Sequence, residues 1–218
     1  DLPGHGEDTC ELTRDPDLAE LDAWLQRLGN CLPAQYSLLG WSLGGQVAMR
    51  LAQQQASRVT GLVALASNLS FVQRDDWPHA MNPEVLHKFQ AAFAVSPSKT
   101  LQRFCGLQAQ GSDELMPMTK LLSKQVQCRD SLAMGLEWLA QLDLRCAWQT
   151  IPAASVLLLA SNDALIPAQL ADSIQTLSSN GQRVEVVAGS HALAWQYAQS
   201  ENDTLLPQVM AVLESVHV

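Results

Sequence analysis

Short apolar runs and longer stretches of helical period alternate along most of the chain. Four short runs have the composition of strands: residues 36–39, 59–66, 155–160 and 183–188. The stretches around them place apolar residues three and four positions apart, beginning near Pro16, Leu43 and Pro167, and a further helix follows the last strand. Strands that alternate with helices form parallel sheets covered by helices, so the pattern predicts an α/β fold in which the first strand is buried.

One long block interrupts the alternation. Across residues 68–130 the β-type runs stop, and four prolines punctuate sequence of helical character. We therefore predict a helical insertion over residues 68–130. The core would then be formed by residues 1–67 together with residues 131–218.

The composition excludes several classes of protein. The chain has 218 residues, 47% of them hydrophobic and 16% charged, which is typical of one compact domain large enough to hold a pocket. Its 22 acidic and 13 basic side chains give a net charge of −9, the wrong sign for binding phosphate backbones or anionic lipid. No apolar run is long enough to span a membrane, and no charged-then-apolar leader opens the chain. We expect a cytoplasmic monomer that binds neither nucleic acid nor membranes.

The strongest chemical motif lies between a predicted strand and a predicted helix. Residues 40–44 read Gly-Trp-Ser-Leu-Gly, the G-x-S-x-G pattern of a nucleophile elbow. A sharp turn at Ser42 favours glycine on both sides, because side chains two residues away would collide with neighbouring backbone. The helix that begins after Ser42 offers N–H groups to a developing oxyanion. The alternative is a chance glycine-rich turn.

A serine hydroxyl needs a base, and the base needs an acid to orient it. Of the five histidines, His191 stands in a loop of small residues directly after the last predicted strand. Asp163 follows the strand at residues 155–160, and α/β sheets carry their chemistry at the carboxyl ends of strands. The order Ser42, Asp163, His191 is that of α/β-hydrolases rather than of chymotrypsin-like or subtilisin-like enzymes. The alternatives are a plain loop histidine and a turn aspartate.

Six other residues are weaker candidates for the base or the acid: His5, His79, His87, His217, Asp143 and Asp172.

These motifs resemble those of the α/β-hydrolase superfamily and, within it, of the pimeloyl-[acyl-carrier protein] methyl ester esterases of biotin synthesis. Residues 1–6 look like the turn after the family's fourth strand, and residues 40–45 look like its elbow. Residues 103–108 are similar to its lid, and residues 135–137 with 143–145 are similar to the return from the lid to the sheet. The chain is therefore expected to lack the N-terminal strands of the family.

The resemblance implies a three-layer α/β sandwich with a mostly parallel sheet and a helical lid at residues 68–130. It implies that Ser42 is the nucleophile, that Asp163 orients the base His191, and that the N–H of Leu43 is an oxyanion donor. It also implies that the substrate contacts four side chains near the elbow and in the lid: Trp41, Phe104, Leu107 and Gln108. Neither a metal nor an organic cofactor is implied.

The insertion is basic although the chain as a whole is acidic. Residues 85–129 carry six basic and two acidic side chains, a net charge of +4, so the rest of the chain carries −13. Helical spacing places Lys99 and Arg103 on one face, and it places Lys120 and Lys124 on one face in the same way. Two such pairs are suited to docking an acidic acyl carrier protein. The alternative is an ordinary amphipathic lid with solvated lysines.

The leading hypothesis is a serine carboxylesterase that hydrolyses the methyl ester of a carrier-protein-linked acyl chain. A second hypothesis keeps the three catalytic residues but makes the protein a general short-chain carboxylesterase or a carbon–carbon bond hydrolase. A third makes the chain a non-catalytic, truncated fragment that binds the carrier protein.

Overall fold

A computed structural model describes residues 17–125, 131–151, 154–198, 207 and 209–210 of the chain. The helices are α1 (Leu18–Cys31), α2 (Leu43–Gln54), α3 (Pro83–Val95), α4 (Pro97–Ala109), α5 (Leu115–Gln125), α6 (Ser131–Gln141), α7 (Arg145–Trp148), α8 (Leu170–Leu177) and α9 (Leu193–Ala198). The strands are β1 (Tyr36–Trp41), β2 (Val59–Leu65), β3 (Ser155–Ala160) and β4 (Arg183–Val187). The opening turn at residues 1–6 and the predicted helix start at Pro16 lie outside the described residues.

The four strands form one sheet in the order β1-β2-β3-β4, and every neighbouring pair is parallel. On one face, α1, α2 and α8 pack against alternate residues of the strands, including Leu62 and Leu157. On the other face, Leu193 of α9 and Val209 pack against the intervening residues, including Val63 and Val156. The predicted α/β fold, a parallel sheet between two layers of helices, is confirmed.

Two details of the predicted elements are wrong. The first strand is not buried along its length, because its side chains alternate in exposure and Leu39 is 57% exposed. Within the described part of the chain β1 pairs only with β2, and the face that carries Ser37 and Leu39 is left to solvent. The helix predicted from Pro167 begins at Leu170. Residues 167–171 first form a tighter turn, because the N–H groups of Leu170 and Ala171 bond to the carbonyls three residues earlier.

The connection between β2 and β3 contains the five helices α3 to α7, and the first three of them, α3, α4 and α5, are called the helical insertion below. Pro83 and Pro97 are the first residues of α3 and α4, where the missing N–H of proline leaves no intrahelical hydrogen bond unmade. The α4 helix packs against both α3 and α5. Among the described residues, no helix is long and apolar enough to cross a membrane.

The sheet makes a stability prediction. Val63 of β2 is fully buried, whereas Val186 of β4 is 47% exposed. Val63→Ala removes two buried methyl-sized groups and is expected to lower the free energy of unfolding by about 2 kcal/mol. Val186→Ala, the same change on an exposed strand position, should cost less than about 0.5 kcal/mol. Denaturant unfolding of both variants measures the difference, and equal losses would contradict the described packing.

Candidate active site

Ser42, Asp163 and His191 lie on three segments that leave the sheet at the same edge. Ser42 directly follows β1, Asp163 follows β3, and His191 follows β4. Because the strands are parallel, their carboxyl ends meet at one edge, which brings Ser42 to two residues that lie 121 and 149 positions further along the chain. The structure thus places all three predicted residues in one site.

Two hydrogen bonds connect the three side chains in a line. His191 Nε2 lies 2.8 Å from Ser42 Oγ, and His191 Nδ1 lies 2.8 Å from Asp163 Oδ2. The side chains of His191 and Asp163 are fully buried. Because a carboxylate offers only acceptors, the Nδ1–H donates to Asp163, and Nε2 keeps the lone pair that accepts the Ser42 hydroxyl proton. This is the arrangement that allows an imidazole to activate a serine.

The backbone at Ser42 is strained. Its φ of 54° and ψ of −122° are unusual for a residue with a side chain. A Cβ at Gly40 would overlap the backbone of Gly44 and lie 2.7 Å from Cα of Gly45. Gly40 is therefore required by close packing, as predicted. The same prediction for Gly44 is wrong, because a Cβ there would meet no atom within 4 Å.

Leu43 is the first residue of α2. Its N–H has no carbonyl one turn earlier in the helix to bond to, so it is available at the positive end of the helix dipole. The carbonyl of Ser42 accepts hydrogen bonds from the N–H groups of Gly45 and Gln46, which fixes the start of the helix. The position suits the role of oxyanion donor, and that role stays a prediction.

The carboxylate of Asp163 makes two sets of contacts, one with each oxygen. Its Oδ1 accepts hydrogen bonds from the N–H groups of Leu165 and Ile166, at 2.8 and 2.9 Å, while Oδ2 faces His191. The carboxylate therefore makes the contacts of a turn aspartate and also faces His191, and its role as the orienting acid stays a prediction. Since the backbone bonds fix the carboxylate plane, Oδ2 has little freedom to leave His191.

Hydrogen bonds with residues that were not predicted from the sequence hold the loop that carries His191 in place. The side-chain oxygen of Gln196 accepts hydrogen bonds from the N–H and the hydroxyl of Ser190. The N–H of Asn162 donates to the carbonyl of Gly189 at 2.9 Å, so the acid loop and the base loop are joined. In the sequence, Gln196 and Asn162 could be noticed only because they lie near His191 and Asp163. Their position does not reveal that they form hydrogen bonds.

Trp41 also supports this loop. Its indole N–H donates to the carbonyl oxygen of His191 at 2.8 Å, and its ring stacks edge-on against Trp195. These contacts are to the protein itself, and the predicted contact of Trp41 with a substrate stays a prediction.

The weaker candidates occupy other surroundings. His79, His87 and Asp172 are exposed. Asp143 forms ion pairs with Arg74 and Arg145, and the hydrogen bond from Arg145 holds the pKa of the Asp143 carboxyl below its ordinary value. His5 and His217 lie outside the described residues.

An entirely apolar cavity lies between the helical insertion and the core. Phe104 and Leu107, two of the predicted substrate contacts, line it on the side of α4, and Leu165 lines it beside the loop of Asp163. Seven further side chains complete the wall: Phe71, Met81, Val85, Leu86, Phe89, Leu136 and Leu139. Gln108 is buried, and its carbonyl oxygen accepts a hydrogen bond from the N–H of Ala192.

The predicted basic residues are exposed on two helices of the insertion: Lys99 and Arg103 on α4, and Lys120 and Lys124 on α5. In the described ranges none of the four forms an ion pair, so their charges are available to a partner. The same part of the chain contains no group of three or more His, Cys, Asp or Glu side chains arranged to hold a metal ion.

Residues 1–202 match the model of the alpha/beta hydrolase family. The chain therefore belongs to the α/β-hydrolase family, as its sheet, its elbow and the line of three side chains already indicate.

Two relatives within the family are similar to this chain over most of its length. The chain is 39% identical over 202 residues to the biotin biosynthesis bifunctional protein BioHC of Cellvibrio japonicus, which covers 91% of this chain but only 39% of that protein's length. It is 38% identical over 180 residues to the pimeloyl-[acyl-carrier protein] methyl ester esterase of Nitrosomonas europaea, covering 80% of this chain and 69% of that protein.

Solved structures share the fold at much lower identity. An esterase from Exiguobacterium antarcticum superposes with a TM-score of 0.78 at 19% identity, covering 95% of this chain and 78% of that one. An enol-lactonase from Burkholderia xenovorans superposes with a TM-score of 0.77 at 15% identity, covering 97% and 78% of the two chains. At these identities the likeness concerns the fold alone.

The two glycines of the elbow provide a matched test of the site. Gly40→Ala forces the turn apart and is expected to slow labelling of Ser42 by a fluorophosphonate on the order of 10²-fold, the usual effect of misplacing a reacting group by about 1 Å. Gly44→Ala, which meets open space, should be labelled at a rate close to that of the parent chain. Circular dichroism checks that both variants fold, and equal labelling rates would contradict the described elbow.

Proposed function

We propose that this chain is a serine carboxylesterase that hydrolyses the methyl ester of a pimeloyl chain carried by an acyl carrier protein, in biotin synthesis. The observation that carries the proposal is the continuous line of hydrogen bonds from Ser42 through His191 to Asp163. The names of the relatives at 38 and 39% identity support the choice of reaction and pathway.

In the first step, Ser42 Oγ attacks the carbonyl carbon of the methyl ester while His191 Nε2 takes the hydroxyl proton. The oxygen that becomes negative in the tetrahedral intermediate accepts a hydrogen bond from the N–H of Leu43. When the intermediate collapses, the C–O bond to the methoxy group breaks, and His191 returns the proton so that methanol leaves. The acyl chain is then joined to Ser42 as an ester.

In the second step, His191 takes a proton from a water molecule, which attacks the acyl-enzyme carbonyl. Collapse of this second intermediate breaks the bond to Ser42 Oγ, and the proton returns to the serine. The product is a free carboxylic acid at the far end of the chain. Throughout both steps Asp163 holds the imidazole in the tautomer and orientation that leave Nε2 facing Ser42, and it stabilises the imidazolium that forms.

The apolar cavity suits the methylene part of a pimeloyl chain. Its wall is made of hydrocarbon and aromatic side chains, and burying methylene groups against such a wall is favourable by about 0.8 kcal/mol each. Val85 and Leu107 line the cavity and are also partly exposed, so they mark where it opens to the surface between α3 and α4. In this proposal residues 68–130 act as a lid over the core, and Trp41 and Gln108 complete the substrate site.

The basic pairs on α4 and α5 suit the carrier protein. Positive charge on the insertion of an otherwise acidic chain attracts an acidic partner to this surface and repels it elsewhere. With the carrier seated there, the thioester stays outside and the distal ester reaches Ser42.

The chemistry predicts stoichiometric labelling. A fluorophosphonate should modify Ser42 once per chain, and Ser42→Ala should be unlabelled and inactive toward p-nitrophenyl butyrate. Ser37→Ala, which removes an exposed hydroxyl on β1, is the matched control and should behave as the parent chain does. Intact and peptide mass spectrometry measure the labelling. Hydrolysis that survives in Ser42→Ala, or failure of the parent chain to label, would contradict the proposal and favour a non-catalytic chain.

The proposed docking surface predicts that reversing its charge affects the hydrolysis of carrier-linked esters but not that of free methyl esters. Reversing Lys99 and Arg103 to Glu, or Lys120 and Lys124 to Glu, should lower kcat/KM for the carrier-linked ester roughly tenfold or more at low ionic strength, because steering of the acidic carrier is lost. Free methyl esters should be hydrolysed as before.

The control for this comparison reverses the charge of Arg27 and Arg183 by replacing both with Glu. Both side chains are exposed and lie outside the insertion. This control changes the net charge by the same amount and should leave both substrates unaffected. Equal losses for carrier-linked and free esters would favour a general short-chain carboxylesterase.

A further inference from the structure

The C-terminal end of α4 and the turn that follows it contact both loops of the candidate active site. The carbonyl oxygen of Gln108 accepts a hydrogen bond of 3.1 Å from the N–H of Ala192, the residue directly after His191. Three residues further on, Gly111 packs against Asn162, the residue directly before Asp163. One short segment of the insertion thus lies against the neighbours of both the base and the acid.

The contact at Gly111 is close enough to require glycine. Its φ of 91° is a conformation that residues with side chains rarely adopt. A Cβ at this position would overlap the carbonyl oxygen of Asn162 and lie 2.7 Å from the Asn162 Cβ. Because the overlapped atom belongs to the backbone, a larger residue at position 111 must move either the turn or the acid loop.

A small apolar cluster seats the same segment. Cys105 and Ala109 of α4 pack with Met118 and Leu122 of α5 and with Ala192, and all five are buried. Close-packed interiors transmit displacements instead of absorbing them. Since the N–H of Asn162 also donates to the carbonyl of Gly189, a shift at the end of α4 reaches the acid loop and the base loop together.

We infer that residues 108–111, the last two residues of α4 and the two that follow it, are a positioning element that keeps Asp163 and His191 aligned only while the insertion is seated on the core. The inference rests on the proposed function and adds a positioning role to it. Lys99 and Arg103 lie on the same helix, and Arg103 is five residues from Gln108, about 7.5 Å along the axis. The proposed docking pair and the positioning segment thus lie on one helix and the turn after it.

Two glycine-to-alanine changes test the inference, one in this segment and one earlier in α4. Gly111→Ala is expected to lower kcat for a free methyl ester on the order of 10²-fold while KM stays close to that of the parent chain, because alignment is lost but the apolar cavity remains. Gly106→Ala, in the middle of α4, meets no atom within 4 Å and should leave kcat unchanged.

A spectroscopic readout separates alignment from activity. In the parent chain the proton that His191 Nδ1 donates to Asp163 should give a resolved downfield proton resonance. We expect this resonance to be lost or broadened in Gly111→Ala and retained in Gly106→Ala. A folded Gly111→Ala with the parent kcat, or one that loses kcat while it keeps the resonance, would overturn the inference.

Thermal unfolding verifies that each variant is folded at the assay temperature. If Gly111→Ala does not fold, Ala109→Val crowds the buried cluster more mildly and should lower kcat and broaden the resonance, whereas Ala94→Val on the exposed side of α3 should not. Parent-like kcat and resonance in Ala109→Val would likewise overturn the inference. A parent chain that hydrolyses no ester overturns the proposed function instead, and the resonance still reports on the alignment.

Discussion

The candidate active site depends on the two hydrogen bonds of His191, one to Ser42 and one to Asp163. In this fold the three side chains meet because each follows a strand of one parallel sheet, and the carboxyl ends of those strands lie at the same edge. The elbow adds a local cost. Ser42 adopts a strained backbone, and Gly40 must lack a side chain for the turn to close. The packing of α2 against the sheet holds that strain in place.

Burial gives the line its rigidity. His191 and Asp163 are shielded from water, and a buried polar group without a partner costs about 1–3 kcal/mol. Here the Asp163 carboxylate accepts two backbone N–H groups besides His191, and both imidazole nitrogens are paired. Leaving this geometry means giving up several satisfied bonds at once. The same logic extends outward to Gln196 and to the end of α4, which hold the loops rather than the reacting atoms.

The sequence predicted the parts of the molecule that local patterns encode. Strand and helix periods gave the α/β fold, and G-x-S-x-G between a strand and a helix located Ser42. Asp163 and His191 could be chosen because each follows a strand end. Two details could not be predicted because they depend on the surrounding fold and not on local sequence. They are the exposure of Leu39, which depends on what covers that face of the sheet, and the open space beside Gly44. The contact between Gln108 and Ala192 is made by backbone atoms of residues 84 positions apart, so no side-chain pattern records it.

We propose that the line from Ser42 to Asp163 hydrolyses the distal methyl ester of a carrier-linked acyl chain. The most direct measurement is the intact mass of pimeloyl-[acyl-carrier protein] methyl ester after incubation with the chain. If the proposed reaction takes place, the carrier loses the mass of one CH₂, because the methyl ester becomes an acid, and the pimeloyl thioester stays intact. An unchanged mass, or loss of the whole pimeloyl group, would contradict it.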